Sequence, residues 1–229
     1  MTPLVLIPGL GSDAALWARQ LEGLADIAEM SVGDTLLDDT LPAMAERVLA
    51  SAPPRFALAG LSMGGYLAFE IMRRAPGRVL RLALLDTSAR PDTPEQTETR
   101  GQAIAASERH DFAALARTSL AQLVAPQASQ EVRETVVAMS VRVGPDTYRR
   151  QQRAIIARPD SRPSLAAIAV PTLVLVGEED RLTPPAVAEE IRHGIAEATL
   201  VRVPRSGHLP ALERPGEVTD ALRRWLAAE

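Results

Sequence analysis

The segment from Phe56 to Tyr66 constrains the fold of this chain more than any other stretch. Its sequence, FALAGLSMGGY, begins with a short apolar run, passes through a turn of small residues and continues into a helical pattern. Within it, GLSMG matches Gly-x-Ser-x-Gly, the motif that places a serine on a sharp turn between a strand and a helix. Side chains two positions before or after Ser62 would collide in so tight a turn, which accounts for Gly60 and Gly64. The segment therefore predicts a buried strand, an exposed nucleophilic serine and a helix behind it.

Apolar runs and amphipathic helical patterns alternate on both sides of this segment. Strands alternating with helices imply parallel pairing, because a parallel neighbour needs a crossover connection. Nearly continuous apolar strands further imply that helices cover both faces of the sheet. We therefore predict a three-layer α/β/α sandwich around a mostly parallel sheet of about six strands. The predicted strands are residues 3–8, 28–32, 56–60, 79–85, 172–176 and 199–203.

The alternation stops between residues 91 and 163, where no strand pattern is evident. Four segments of helical composition follow one another there, and such a stretch is too structured to be a linker. The sequence therefore predicts a core of residues 1–90 and 164–229 with a helical cap inserted between its strands. The four helical segments are residues 95–109, 112–123, 131–143 and 146–157.

Composition excludes several kinds of chemistry. The chain has no cysteine, which removes disulfides, thiolate catalysis and cysteine metal sites. All 25 basic residues are arginine, so Schiff-base and Ser-Lys chemistries are excluded as well. A net charge of −4 and an aromatic content of 3% argue against a nucleic-acid partner. We expect no cofactor and no metal.

The amino-terminal sequence shows no pattern of a targeting or membrane segment. Leu4 to Ile7 is apolar, but no basic region, long apolar stretch or small-residue cleavage site accompanies it. The expectation is a cytoplasmic protein without a membrane span, either a monomer or a homodimer.

A serine hydroxyl is a weak nucleophile at neutral pH, so Ser62 needs a base, and the chain has three histidines. His110 reads as a surface residue at a helix junction, and His193 lies in the last turn of a predicted helix, where a cation suits the helix dipole. His208 follows the last predicted strand directly, at the edge where a parallel sheet presents its ligand site. The position favours His208 as the base, although a capping role in the loop would also explain it.

The base in turn needs an acid to orient it. Asp180 lies in VGEEDRLTP, just past the strand at 172–176, and Asp86 ends the strand at 79–85. Asp180 also suits a plain turn, and Asp86 also suits a cap at the entry to the insertion. The order serine, aspartate, histidine along the chain is that of one known arrangement, and it favours Asp180 over Asp86.

Backbone N–H groups must also stabilise the negative oxygen that forms during acyl transfer. One predicted donor is Met63, the residue after the serine, at the start of a helix. The other is Leu10, in the PGLG sequence after the first strand, where small residues let the backbone approach closely. An ordinary strand-to-helix turn would explain the glycines equally well.

Together these motifs resemble the α/β-hydrolase-fold serine hydrolases, specifically the small capped bacterial members. The resemblance covers essentially the whole chain, although Pro8 stands where the family usually has histidine. The chain also opens on the family's third strand, so we expect the first two strands to be absent. The matching sequences are PGLG at 8–11, GLSMGG at 60–65, GEED at 177–180 with Pro184, and SGH at 206–208 with ERP at 213–215.

The resemblance implies a hydrolase of small to medium carboxylic esters that works through an acyl-enzyme. Ser62 would attack the acyl carbon, His208 would move the proton and Asp180 would hold the imidazolium. The family leaves alternatives open: an enol-lactonase, a carrier-protein methyl ester esterase, a carbon–carbon hydrolase, a menaquinone-pathway lyase, or a ligand-binding protein without catalysis.

The insertion should supply the apolar walls of the substrate pocket. We expect substrate contacts from Leu10, Met63, Phe112 and Met139, and further walls from Leu115, Leu120 and Val136, although these side chains could simply hold the helices together. The arginines between Tyr148 and Arg153 are typical of a solvated helix face. An acidic substrate or the phosphopantetheine of a carrier protein is the alternative explanation.

Overall fold

Six strands form a single sheet in the computed structural model, which describes residues 1–228. They are β1 (Thr2–Ile7), β2 (Ala28–Val32), β3 (Phe56–Leu61), β4 (Val79–Leu85), β5 (Thr172–Gly177) and β6 (Ala198–Val203). Their order in the sheet is β2-β1-β3-β4-β5-β6, and every adjacent pair is parallel. The predicted six-stranded parallel sheet is confirmed.

Nine helices accompany the sheet in the described part of the chain. They are α1 (Ala18–Gly23), α2 (Leu41–Ser51), α3 (Met63–Arg74), α4 (Pro94–Arg109), α5 (Phe112–Leu123), α6 (Gln130–Ile156), α7 (Pro185–Gly194), α8 (Pro210–Glu213) and α9 (Pro215–Ala227). The sequence pattern does not predict the four-residue helix α8, which is too short to show a period.

The apolar residues divide into two clusters, one on each face of the sheet. Alternate residues of β1 point to opposite faces, so Val5 and Ile7 pack with α2, α3 and α7, whereas Leu4 and Leu6 pack with α9. Every residue of the interior strands β3 and β5 is buried because helices cover both sides of them. This double covering confirms the three-layer arrangement.

Helices α4, α5 and α6 lie between β4 and β5 in the chain, as the pattern predicts. The two helices expected at 131–143 and 146–157 join into one run, α6, which bends at Gly144, where φ is 77° and ψ is 164°. Pro145 follows directly and cannot donate the backbone hydrogen bond that would continue a straight helix. The division of the chain into core and cap remains a prediction.

A helix crosses a bilayer only if about 20 consecutive residues are predominantly apolar. Among residues 1–228, no helix combines the length and apolar character needed to cross a membrane.

Candidate active site

Ser62 sits at the junction of β3 and α3 in a backbone conformation that side chains rarely adopt, with φ 55° and ψ −113°. A Cβ atom on Gly60 would lie 2.2 Å from the Gly64 carbonyl oxygen, and one on Gly64 would lie 2.3 Å from the Ile7 carbonyl oxygen. Both distances are far inside van der Waals contact, so only glycine fits at either position. The turn thus holds the serine at the carboxyl edge of the sheet, next to the end of β1.

A chain of hydrogen bonds joins Ser62, His208 and Asp180, which the sequence predicts as nucleophile, base and acid. His208 Nε2 lies 2.8 Å from Ser62 Oγ, and His208 Nδ1 lies 2.8 Å from Asp180 Oδ2. Because the carboxylate can only accept, this network assigns the ring proton to Nδ1 and leaves Nε2 to accept from the serine hydroxyl. Asp180 and His208 are each 3% exposed, so little water competes for these bonds.

The loop after β5 orients Asp180. Its Oδ1 accepts hydrogen bonds from the backbone N–H groups of Leu182 and Thr183, and its Oδ2 also accepts from the Thr183 hydroxyl at 2.6 Å. Burial on its own would raise the pKa of Asp180, but the charge and hydrogen bond of His208 and the hydrogen bonds of Thr183 hold that pKa below its usual range. The carboxylate therefore stays ionised at neutral pH and faces the imidazole.

Asp86, the rival acid, is a near neighbour of this network. It ends β4 with φ 44°, and its Oδ1 accepts from the Gly177 N–H at 2.8 Å, so it ties two strand ends together rather than capping the entry to the insertion. Burial, followed by repulsion from Asp180, raises the pKa of Asp86 well above its usual range. Its Oδ2 is buried without a hydrogen-bond partner, and among the described residues Asp86 makes no hydrogen bond to His208.

The loop after β1 lies against the serine turn. A Cβ on Gly9 would be 3.4 Å from Ser62 Cβ, so the loop backbone and the nucleophile are close neighbours. Helix α6 fastens this loop, because the Gly11 N–H donates to Gln151 Oε1 at 2.9 Å. Within residues 1–228, neither Leu10 N–H nor Met63 N–H donates a hydrogen bond, so both remain available to a ligand.

A cavity of about 610 Å³ opens above Ser62 and His208. That volume is typical of a site for a small organic molecule. Its apolar wall includes four of the side chains predicted to face a substrate, namely Leu10, Phe112, Leu115 and Val136.

Three predicted apolar contacts do not reach the cavity: Met63, Leu120 and Met139 are not among its lining residues. The Met63 side chain is fully buried in the apolar cluster with α2 and α3, and Met139 is fully buried in the cluster on the other face. Leu120 packs against that second cluster. The helical period locates the apolar face of a helix but does not say whether a core or a cavity covers it.

The other wall of the cavity is polar and was not predicted. Arg100 Nε donates to Asp92 Oδ2 at 2.7 Å, and Arg158 Nη1 donates to Asp92 Oδ1 at 2.5 Å. The Arg158 guanidinium also stacks over the ring of Tyr66, 4.3 Å from its centroid. No short-range sequence signal predicts this cluster, because Tyr66 lies on α3, Arg100 on α4 and Arg158 just after α6.

The histidine loop is anchored to the insertion. Glu213 accepts hydrogen bonds from the backbone N–H groups of Gly207, Leu209 and Ala125, the last of which lies between α5 and α6. Burial raises the pKa of Glu213. The His208 N–H donates to the carbonyl oxygen of Leu123 at 3.0 Å. The position of the imidazole thus depends on the end of α5 as well as on β6.

Asp86, Asp180 and His208 also form a cluster whose potential ligand atoms lie within 4.8 Å of one another. Hydrogen bonds to Asp180 and Ser62 occupy both imidazole nitrogens, so this arrangement suits proton transfer rather than metal coordination.

Comparison with known proteins places this geometry in a family. The family model described as the alpha/beta hydrolase fold matches residues 38–215. The pimeloyl-(acyl-carrier protein) methyl ester esterase of Aliivibrio salmonicida is 27% identical over 99% of this chain and 92% of its own. The biotin biosynthesis bifunctional protein of Cellvibrio japonicus is 26% identical over 96% of this chain, which spans only 46% of that longer protein.

Two solved structures resemble the whole described fold. A thermophilic esterase from Thermogutta terrifontis, solved with malate bound, is 32% identical, with a TM-score of 0.90 over 99% of this chain and 89% of its own. The enol-lactonase from Burkholderia xenovorans is 26% identical, with a TM-score of 0.89 over 99% of this chain and 92% of its own. The chain belongs to the alpha/beta hydrolase fold family.

Proposed function

We propose that this protein hydrolyses small to medium carboxylic esters through an acyl-enzyme formed on Ser62. The observation that carries the proposal is the hydrogen-bonded chain from Ser62 through His208 to Asp180, which opens onto the 610 Å³ cavity. The relatives named as esterases make ester hydrolysis the reaction class of this enzyme.

Acylation follows from the geometry. Ser62 Oγ attacks the ester carbonyl carbon while His208 Nε2 takes the hydroxyl proton. Asp180 stabilises the imidazolium that results, because its carboxylate is ionised and 2.8 Å from Nδ1. The N–H groups of Leu10 and Met63 bind the carbonyl oxygen as it becomes negative.

Departure of the alcohol completes acylation, and deacylation by water follows it. The imidazolium gives its proton to the departing alcohol oxygen, which leaves the acyl group esterified to Ser62. His208 then takes a proton from water, whose oxygen attacks the acyl carbon, and returns that proton to Ser62 as the carboxylic acid leaves.

The test is hydrolysis of p-nitrophenyl esters from acetate to dodecanoate by the wild type and by Ser62→Ala. Turnover should favour short or medium chains, because the cavity is of limited size, and should vanish in the variant. Ser119→Ala is the matched control, since Ser119 lines the same cavity, and this variant should keep its activity. Wild-type-like turnover by Ser62→Ala would overturn the proposal.

A second candidate is hydrolysis of a methyl ester carried on an acyl-carrier protein. It is favoured by the relative from Aliivibrio salmonicida, whose name states that activity. Comparing a carrier-bound methyl ester with the same ester on free pantetheine separates the two candidates. A carrier protein that raises kcat/KM more than about tenfold would favour the second.

A further inference from the structure

Two arginines on the polar wall of the cavity share a single carboxylate. Asp92, whose side chain is 1% exposed, accepts from both Arg100 on α4 and Arg158 just after α6. Two positive charges held by one negative charge leave the group with a net charge of +1. The Arg158 side chain is itself only 5% exposed, so water solvates this charge poorly.

Each of these arginines keeps hydrogen-bonding capacity that the protein does not use. Arg100 donates from Nε to Asp92 and from Nη1 to Gln152, and Arg158 donates from Nε and Nη1. Within residues 1–228, the Nη2 atom of neither arginine donates a hydrogen bond. Both residues line the cavity. A guanidinium whose Nη2 atom is free can donate a charge-assisted hydrogen bond to a carboxylate.

Tyr66 adds a third donor beside them. Its ring lies under the Arg158 guanidinium and lines the cavity, and its hydroxyl has no hydrogen-bond partner among the described residues. Tyr66 follows Ser62 by about one helical turn, a rise of about 6 Å along α3. The nucleophile, the Tyr66 hydroxyl and the two arginines therefore line one cavity, so a single small substrate can meet all of them.

The remaining charges on the cavity wall do not cancel this group. Arg90 donates from Nε and Nη2 to the Glu190 carboxylate, and Glu95 is exposed in the first turn of α4. Glu95 is the only carboxylate among the lining residues that the structure describes. Glu95 formally balances the net charge of +1, but its carboxylate is exposed to solvent whereas Arg158 is buried, so the buried part of the wall carries the positive charge.

We propose that the substrate carries a carboxylate in addition to the ester that Ser62 cleaves, and that Arg100, Arg158 and Tyr66 bind this carboxylate. The substrate class is the hemiester of a short dicarboxylic acid, or a lactone bearing a carboxylate. This inference rests on the proposed ester hydrolysis for its reaction, but the anion site itself can be measured separately. The competing explanation is that the two ion pairs of Asp92, with Arg100 and Arg158, only hold α4 against the end of α6.

The kinetic test compares monoethyl adipate with diethyl adipate, followed by proton release. For the wild type, kcat/KM should be at least tenfold higher for the hemiester, mainly through a lower KM. Arg100→Gln should reduce that ratio at least tenfold, whereas Arg100→Lys, which keeps the charge, should retain part of it. Arg149→Gln is the matched control, because Arg149 lies on α6 outside the cavity wall and pairs with Asp146. It should leave the ratio unchanged.

The binding test uses the Ser62→Ala variant and adipate in titration calorimetry, with no turnover required. Adding Arg100→Gln to this variant should weaken adipate binding at least tenfold, while circular dichroism checks that the fold is kept. Ser62-dependent hydrolysis of neutral esters without adipate binding or hemiester preference would overturn the inference and leave the proposed function standing. Arg100-dependent adipate binding without hydrolysis of any ester would support the anion site and overturn the proposed function.

Discussion

Asp86 and Asp180 show how surroundings give one residue type two chemical states. Both are buried near the carboxyl ends of neighbouring strands, and their carboxyl groups adjoin each other. Asp180 accepts from two backbone N–H groups, a hydroxyl and the imidazole, whereas Asp86 accepts one N–H. The pKa of the first carboxyl is therefore held below its usual range and that of the second is raised well above it, a division that favours a single negative charge beside His208.

This division predicts the effects of two amide substitutions on catalysis. Asp180→Asn removes the charge that stabilises the imidazolium and should lower kcat about a thousandfold or more. Asp86→Asn replaces a neutral carboxyl with a neutral amide and should keep kcat within about fivefold. The measurement is kcat for a p-nitrophenyl ester; a larger loss in Asp86→Asn than in Asp180→Asn would mean that the acid is assigned wrongly.

The raised pKa of Asp86 also predicts how stability depends on pH. The folded protein binds this proton more tightly than the unfolded chain, so the contribution of Asp86 is largest below the unfolded value of 3.8 and is lost as pH rises toward the folded pKa. The loss is about 1.4 kcal/mol per pH unit in that window. The pKa of Asp180 is lowered instead, so its contribution to stability is present above pH 3.8 and is lost only as pH falls below that value.

Asp86→Asn cannot lose a proton, so the variant should gain stability relative to the wild type as pH rises above 4. The measurement is the free energy of unfolding in urea at several pH values from 4.5 to 7. A difference between the two proteins that stays constant over this range would show that Asp86 is ionised in the fold.

At the scale of elements, the bend in α6 lets one helix serve both faces of the sheet. Before the bend, Val136 and Met139 join the apolar cluster that contains α9, and after it Ala154 and Ile155 join the cluster that contains α3. The second half also carries Gln151, which holds the loop after β1. The insertion is therefore packed into the molecule at several points around the site.

The bend predicts a specific cost for losing one glycine. Gly144 combines φ 77° with ψ 164°, a region that is almost restricted to glycine, and a Cβ there would meet no atom within 4 Å. Gly144→Ala should therefore lower the free energy of unfolding by about 1–3 kcal/mol through the backbone alone.

Gly101→Ala is the control for this substitution. Gly101 also has open space around it but lies inside α4, so alanine there should raise the stability by up to about 1 kcal/mol. Equal effects of the two substitutions in urea unfolding would contradict a conformational role for Gly144.

At the scale of the whole molecule, the sequence predicts those features that a short continuous stretch of residues determines, such as strands and the turn around Ser62. The apolar runs predict the bounds of five strands within one or two residues, β2 is the weakest pattern because Glu29 and Ser31 interrupt it, and the motif around Ser62 predicts the turn. Met139 shows the limit, because its apolar helix face meets the core rather than the cavity. Arg100 and Arg158 show the same limit for polar groups, since only the fold brings them to one carboxylate.

The most direct test of the account is whether Ser62 and His208 act as one unit. We would measure kcat/KM for p-nitrophenyl butyrate in the wild type, Ser62→Ala, His208→Ala and the double variant. Each single substitution should cost about 10⁴-fold or more, and the double variant should be no worse than either, because removing one partner already disables the other. A double variant whose loss is the product of the single losses, or a Ser62→Ala variant with wild-type-like activity, would contradict the account.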